Sequence, residues 1–183
     1  MSEKQPYEFS DEELIEGSLN RNRHLQEMLY RKFADGMFTV ACNYSENDDE
    51  AADILQEGFI KVFRKLHTHD QSKSLAGWIR RIIVNTALEH YRKKKRHLEV
   101  VEDYYQETDW EEDFFGDLNG TEIVSLVNKL PSKAQMVLKL YTMEGYAHQE
   151  IATELNISVG TSKSQLSRAK TLLREMLKGG GNE

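Results

Sequence analysis

Cysteine is almost absent from this chain: Cys42 stands alone. An internal disulfide is excluded, and so is a zinc site built from spaced thiolates. A reducing compartment fits. There are only two prolines among 183 residues, so long helices can run without interruption. No apolar run approaches the ~20 residues of a membrane-spanning helix. The opening MSEKQPYEFSDEE is polar and acidic, with none of the apolar core of a signal peptide. The expectation is a soluble, cytoplasmic protein. No Walker loop or Gly-rich dinucleotide turn is present. His67-Thr68-His69 offers two histidines but no further ligand nearby, so neither a metal nor a cofactor is expected and no catalytic residue is assigned.

Charge is plentiful, at 30% of residues, and unevenly spread around a net −7. Residues 1–60 hold 5 Lys/Arg against 14 Asp/Glu, and residues 61–96 hold 11 against 2. Residues 97–128 hold no Lys or Arg and 10 acids, and residues 129–183 hold 8 bases and 5 acids. The overall sign argues against indiscriminate binding to a polyanion. The pattern points instead to two separate basic surfaces divided by an acidic connector.

Apolar residues recur with helical rather than alternating period, so the fold class expected is all-α. Ser10-Asp11-Glu12-Glu13 is a capping box opening a helix to about Leu19. Leu25, Leu29, Phe33, Met37 and Val40 mark a helix from about Asn22 to Asn43. Leu55, Phe59, Val62 and Leu66 mark another from about Glu50 to Leu66. The residues His67–Ser74 read as a loop. A fourth helix runs from about Leu75 to Arg96 and ends in five consecutive bases, Arg92-Lys93-Lys94-Lys95-Arg96. The helix dipole favours bases at that end. Five of them repel one another, however, and a nearby polyanion relieves the repulsion. Trp78, Arg80, Arg81 and Asn85 on the same helix add the aromatic surface, cations and amide that single-stranded nucleic acid requires.

The acidic stretch from His97 to Gly120 reads as a linker. Its Tyr104, Tyr105, Trp110, Phe114 and Phe115 are more aromatic than a plain tether needs. Helical period returns from Thr121 to Leu130 and from Ala134 to Met143. The stretch Ala147–Met176 then shows two amphipathic helices joined at Asn156-Ile157-Ser158. Ile151, Ala152 and Leu155 line one, and Val159, Leu166, Ala169, Leu173 and Met176 line the other. Ser158 is placed to cap the second helix. Thr161, Lys163, Ser164, Gln165, Arg168 and Lys170 form the remaining face of that helix, with no acid before Glu175. This is the pattern of a helix-turn-helix with a DNA-reading helix. A helical hairpin in an ordinary bundle has the same periodicity, and the charge pattern favours DNA.

Both halves together resemble bacterial RNA polymerase sigma factors of the small extracytoplasmic-function type. Leu130-Pro131, Glu150-Ile151-Ala152, Leu155, Ile157-Ser158-Val159-Gly160-Thr161, Lys163-Ser164 and Arg168-Ala169 are similar to region 4. Asp53-Ile54-Leu55-Gln56-Glu57-Gly58-Phe59 with Phe63 looks like region 2.2. Trp78-Ile79-Arg80-Arg81-Ile82, Asn85-Thr86-Ala87 and Tyr91-Arg92 look like regions 2.3 and 2.4. The resemblance implies a region 2 bundle over 1–96, an acidic linker over 97–120, region 4 over 121–178 and a tail over 179–183. It implies a transcription initiation factor, not an enzyme, whose partners are core RNA polymerase and promoter DNA, with an anti-sigma factor a frequent further partner.

The resemblance assigns polymerase binding to Asp53, Gln56, Glu57 and Phe59. It assigns the −10 element to Trp78, Arg80, Asn85, Arg92 and Lys93. It assigns the −35 element to Thr161, Lys163, Ser164, Gln165 and Arg168. Three departures stand out: Ala147 where Ser or Thr caps a helix, Ser162 where valine is frequent, and Gln165 where arginine is frequent. Gly58 also replaces a side chain, at about 1 kcal/mol of helix propensity. The alternatives are a helix-turn-helix regulator that never joins polymerase and a helical adaptor that binds only proteins.

Overall fold

The computed structural model describes residues 5–95 and 120–179. Those residues form eight α-helices and two short 3-10 turns, with no strand among them. They fall into two compact units, divided between Glu99 and Val100. The acidic linker and Arg96 of the basic run lie outside the described residues.

In the first unit, α1 (Asp11–Leu19) begins on the expected capping box. Ser10 Oγ accepts from Glu13 N–H, and Glu13 Oε2 accepts from Ser10 N–H. Gly17 lies against the side chain of Leu25, where any β-carbon would collide, so α1 meets α2 closely. Helix α2 (Arg23–Cys42) is capped by Asn22, whose Oδ1 accepts from His24 N–H and Leu25 N–H. Lys32 on α2 donates to Phe9 O at 2.9 Å and to Asp11 Oδ1 at 2.8 Å, tying the N-terminal turn down.

Helix α3 (Asp48–Lys65) starts two residues earlier than its apolar pattern predicts. Asn47 Oδ1 caps it, and Asp48, Asp49 and Glu50 fill a first turn where the dipole favours acids. The chain then makes the 3-10 turn Leu66–Thr68 before α4 (Leu75–Lys95). The core consists of Leu14, Leu29, Ile54, Val62, Leu66, Leu75, Ile79, Ile83 and Leu88, each at most 2% exposed. Gly58 has a packing role beside its low propensity. A β-carbon there would strike the side chain of Ile83, so the glycine sets the α3–α4 approach.

The second unit holds α5 (Gly120–Asn128), α6 (Ser132–Thr142), α7 (His148–Leu155) and α8 (Val159–Gly179). Helix α6 starts directly after Pro131, two residues before the apolar pattern shows it. It is central: every residue from Met136 to Leu140 is buried, Lys139 included. Gly145 turns the chain at φ +69°, a conformation that suits glycine. Between α7 and α8, Asn156 takes the left-handed conformation at φ 53°, ψ 51°. Ile157 N–H donates to Ala152 O at 3.0 Å, closing α7 with the hydrogen-bond pattern of a Schellman turn. Ser158 then caps α8, accepting from Thr161 N–H at 2.9 Å. Ile151, Leu166, Ala169 and Leu173 close the core below.

Candidate nucleic-acid and polymerase interfaces

Helix α3 presents a solvent face containing Asp53, Gln56 and Ile60, spaced by three and four residues. Ile60 is 57% exposed, an aliphatic side chain flanked by an acid and an amide. The sequence reading missed it because it lies off the main apolar stripe. That isolation within the stripe's period was the available signal. Phe59 is the opposite case and corrects the expectation. It is 3% exposed, with its ring 4.7 Å from Tyr30 and 6.3 Å from Phe63, and supports α3 from inside. Its aromatic character drew it into the candidate surface, but burial of a large apolar ring removes it. Glu57 turns toward α4, with Oε2 3.0 Å from His90 Nε2. The contact lacks the alignment of a hydrogen bond. His90, followed by the nearby Lys93 and Lys61, holds the Glu57 carboxyl below the usual range.

Helix α4 runs antiparallel to α3, bound by a ladder of charged contacts. Lys61 Nζ donates to Thr86 Oγ1 at 3.1 Å and Glu89 Oε2 at 2.8 Å. Glu57 meets His90 next, and Lys94 reaches Glu50 at 2.8 Å and Glu46 at 3.2 Å. Trp78, Arg80, Asn85 and Arg92 are each half-buried, and Lys93 is exposed. The indole of Trp78 meets His69 edge-on at 5.3 Å. Both ring nitrogens of His69 are buried without a hydrogen-bond partner. Leaving such groups unsatisfied costs about 1–3 kcal/mol each. The resemblance also gives the loop His67–Ser74 a share, with α4, in holding the −10 strand; the contact of His69 with Trp78 depends on the fold of that loop.

In α8, Lys163 is exposed, and Thr161, Ser164 and Arg168 are partly so. Thr161 Oγ1 lies 2.8 Å from Ser158 Oγ, and Ser164 Oγ donates to Thr161 O at 3.0 Å, so both hydroxyls brace the helix start. Gln165 departs from expectation. It is 5% exposed and its Oε1 is buried without a partner. The polar face drawn from sequence placed it outside, but it adjoins Leu166 and Ala169 on the inner side. Ser162, one of the noted departures, is fully buried and satisfied. Its Oγ lies 2.9 Å from His148 Nδ1, linking the two helices of the motif. His148 also stacks on Tyr141 at 4.8 Å. Burial, then Lys163 and Lys170, lower its basicity.

Among the described residues no three His, Cys, Asp or Glu side chains gather to hold a metal, and no helix is long and apolar enough to cross a membrane. Burial and Asp48 raise the pKa of the Cys42 thiol.

Comparison with known proteins resolves the class. The sigma-70 region 2 model matches residues 29–97, and the sigma-70 region 4 model matches residues 121–173. The chain belongs to the sigma-70 family of RNA polymerase sigma factors, in its extracytoplasmic-function group. It is 30% identical over 155 residues to the ECF RNA polymerase sigma factor SigE of Mycolicibacterium smegmatis, spanning 81% of this chain but only 60% of that relative. It is 29% identical over 142 residues to the RNA polymerase sigma factor SigV of Bacillus subtilis, spanning 76% of this chain and 83% of that one. In fold it is similar to the sigma factor RpoE of Bartonella quintana, solved in complex with the anti-sigma factor NepR. That likeness has a TM-score of 0.50 and 22% identity, over 83% of this chain and 96% of that one. The family is one of transcription initiation factors rather than catalytic enzymes. A regulator built on region 4 alone would not account for the region 2 match.

Proposed function

We propose that this sigma factor binds core RNA polymerase through the outer face of α3, engages the −10 element with α4 and reads the −35 element with α8. The observation that carries this reading is the succession of region 2 and region 4 in one short chain. The proposed domain limits remain 1–96, 97–120 and 121–178, with a tail over 179–183.

For polymerase binding, Asp53 and Gln56 supply exposed polar groups beside Ile60. A carboxylate accepts two bonds from an arginine, and an aliphatic side chain between such groups adds desolvated contact. Glu57 contributes by orienting α4, through His90, rather than by direct docking. For the −10 element, Arg92 and Lys93 meet phosphate while Trp78, Arg80 and Asn85 flank an unstacked strand. His69 packs edge-on against the Trp78 indole and so braces it beside the strand. For the −35 element, Lys163 and Arg168 meet phosphate or base edges, with Thr161 and Ser164 beside them. Gln165 supports that helix from within. The partners are thus core polymerase and promoter DNA, in the cytoplasm. The complex of RpoE with NepR motivates an anti-sigma partner for this chain too. No step of RNA synthesis is assigned to its side chains.

Reconstitution with cognate core enzyme tests the proposal. Addition of this chain should start run-off transcription at a defined promoter. Tight promoter binding by the chain alone, with no initiation in the presence of core, would establish the regulator reading instead.

A further inference from the structure

The end of α4 is the most basic segment of the chain, yet one of its cations is already occupied. Lys94 Nζ lies 2.8 Å from Glu50 Oε1 and 3.2 Å from Glu46 Oε2. Glu46 comes from the α2–α3 turn and Glu50 from the first turn of α3, which the antiparallel course of α3 and α4 brings against the end of α4. Glu50 is held in place. Its side chain is 13% exposed, and its Oε2 accepts from Glu46 N–H at 2.8 Å. Glu46 is 78% exposed and Lys94 is 47% exposed, so the outer part of the contact is open to solvent.

The energetics favour a contact that is made but replaceable. Burial alone raises the Glu50 carboxyl, yet Lys94 and the Glu46 N–H hold it below its usual range. The acids in turn raise the Lys94 ammonium. The outer contact, to the exposed Glu46, is worth little in water and is screened by salt, while the inner one, to the largely covered Glu50, is the firmer of the two. A nucleic-acid backbone offers a denser line of negative charge and gains entropy from released counterions. Glu46 and Glu50 therefore occupy Lys94 as a phosphate would, at a strength that DNA can overcome.

We infer that the α2–α3 turn, with the first turn of α3, is a built-in competitor for nucleic-acid phosphate, which holds Lys94 in the free protein and yields it to promoter DNA. Its effect is to weaken sequence-independent binding at the basic end of α4 until other contacts align the strand. A single replaceable pair sets the scale at about one phosphate. The inference rests on the proposed role of α4 in DNA binding, and the experiment separates the two.

The full chain is titrated into a labelled single-stranded oligonucleotide of non-promoter sequence, by fluorescence anisotropy, at several salt concentrations. The E46Q/E50Q variant is compared with E12Q/E16Q, which changes net charge equally at exposed positions on α1. Release of one cation should steepen the log–log salt slope by about 0.7 for a single strand. The advantage of E46Q/E50Q over E12Q/E16Q should then grow about threefold as salt falls from roughly 200 to 50 mM. Adding K94Q should abolish that difference. Equal slopes for the two charge-matched pairs, or a gain that persists with K94Q, would overturn the inference. If R92Q/K93Q leaves binding unaltered, the placement of DNA on α4 fails and the inference fails with it. If R92Q/K93Q weakens binding while E46Q/E50Q matches its control, only the competitor is refuted. Glu50 also braces the turn, so should the double variant fail to fold, K94Q in the otherwise unchanged chain is compared directly with the unaltered protein. Loss of Lys94 should leave non-promoter binding and its salt slope unchanged if the acids already occupy it, and a weaker, flatter binding would overturn the inference.

Discussion

Ala147 occupies the N-cap position of α7 with extended backbone at φ −69°, ψ 153° and no side-chain oxygen. Glu150 Oε2 still accepts from Ala147 N–H at 3.0 Å, so half of a capping box is in place. Replacing Ala147 with Ser completes the box without altering the backbone. A147S should raise stability by about 1 kcal/mol, measured by denaturant unfolding at unchanged m value. Lys139 is a cost of the opposite kind. Its side chain is buried in α6, and burial lowers its ammonium to about 8. The unfolded chain holds that proton to ~10.4, so between about pH 8 and 10 it binds more protons than the folded state. Stability should therefore rise with pH across that window and lie flat at its lower value below it. K139M should remove the slope and stabilise the protein at pH 7 by up to about 3 kcal/mol, read from unfolding curves at pH 7 and 9.5. The apolar period of α6 shows that position 139 belongs to a buried helix. How deeply the lysine sinks depends on the packing of the neighbouring helices, which no local pattern contains.

At the scale of helices, α3 divides its work between two faces. The inner face carries Phe59 and Gly58, one filling the core and the other admitting Ile83. The outer face carries Asp53, Gln56 and Ile60. D53R/I60E should therefore weaken association with core polymerase at least tenfold while leaving the unfolding midpoint nearly unchanged, since exposed positions contribute little to stability. A comparable loss of stability would place these residues in the fold rather than in the interface. The helix itself was legible from the spacing of Leu55, Phe59, Val62 and Leu66. Its functional face is not legible in the same way, because a family motif contains core and surface residues side by side. Gln165 in α8 repeats the lesson: an amide looks like a reading residue until its neighbours prove to be Leu166 and Ala169.

For the whole molecule, net charge −7 coexists with two base-rich helices in separate units. The proposed division of labour predicts two different defects. K163A/R168A should weaken binding of holoenzyme to duplex −35 DNA and reduce its salt slope by roughly one to two. R92A/K93A should leave that duplex binding in place but suppress opening of the −10 region, followed by permanganate reactivity of unpaired thymines. Identical defects in the two variants would contradict separate roles for the units.

The sequence by itself determined the all-α class, the order of helices, Ser10, Asn22 and Ser158 as caps or helix starts, and the alternation of acidic and basic blocks. These are local properties, written in period, composition and hydrogen-bonding capacity. Tertiary structure alone decided that Phe59 and Gln165 face inward, that Ile60 faces outward and that Ser162 is answered by His148. It also brought Glu46 and Glu50 against Lys94, more than forty residues away in the chain. The physical reason is that exposure and ion pairing depend on which helix lies alongside, and a helix carries in its own sequence only the width of its apolar stripe.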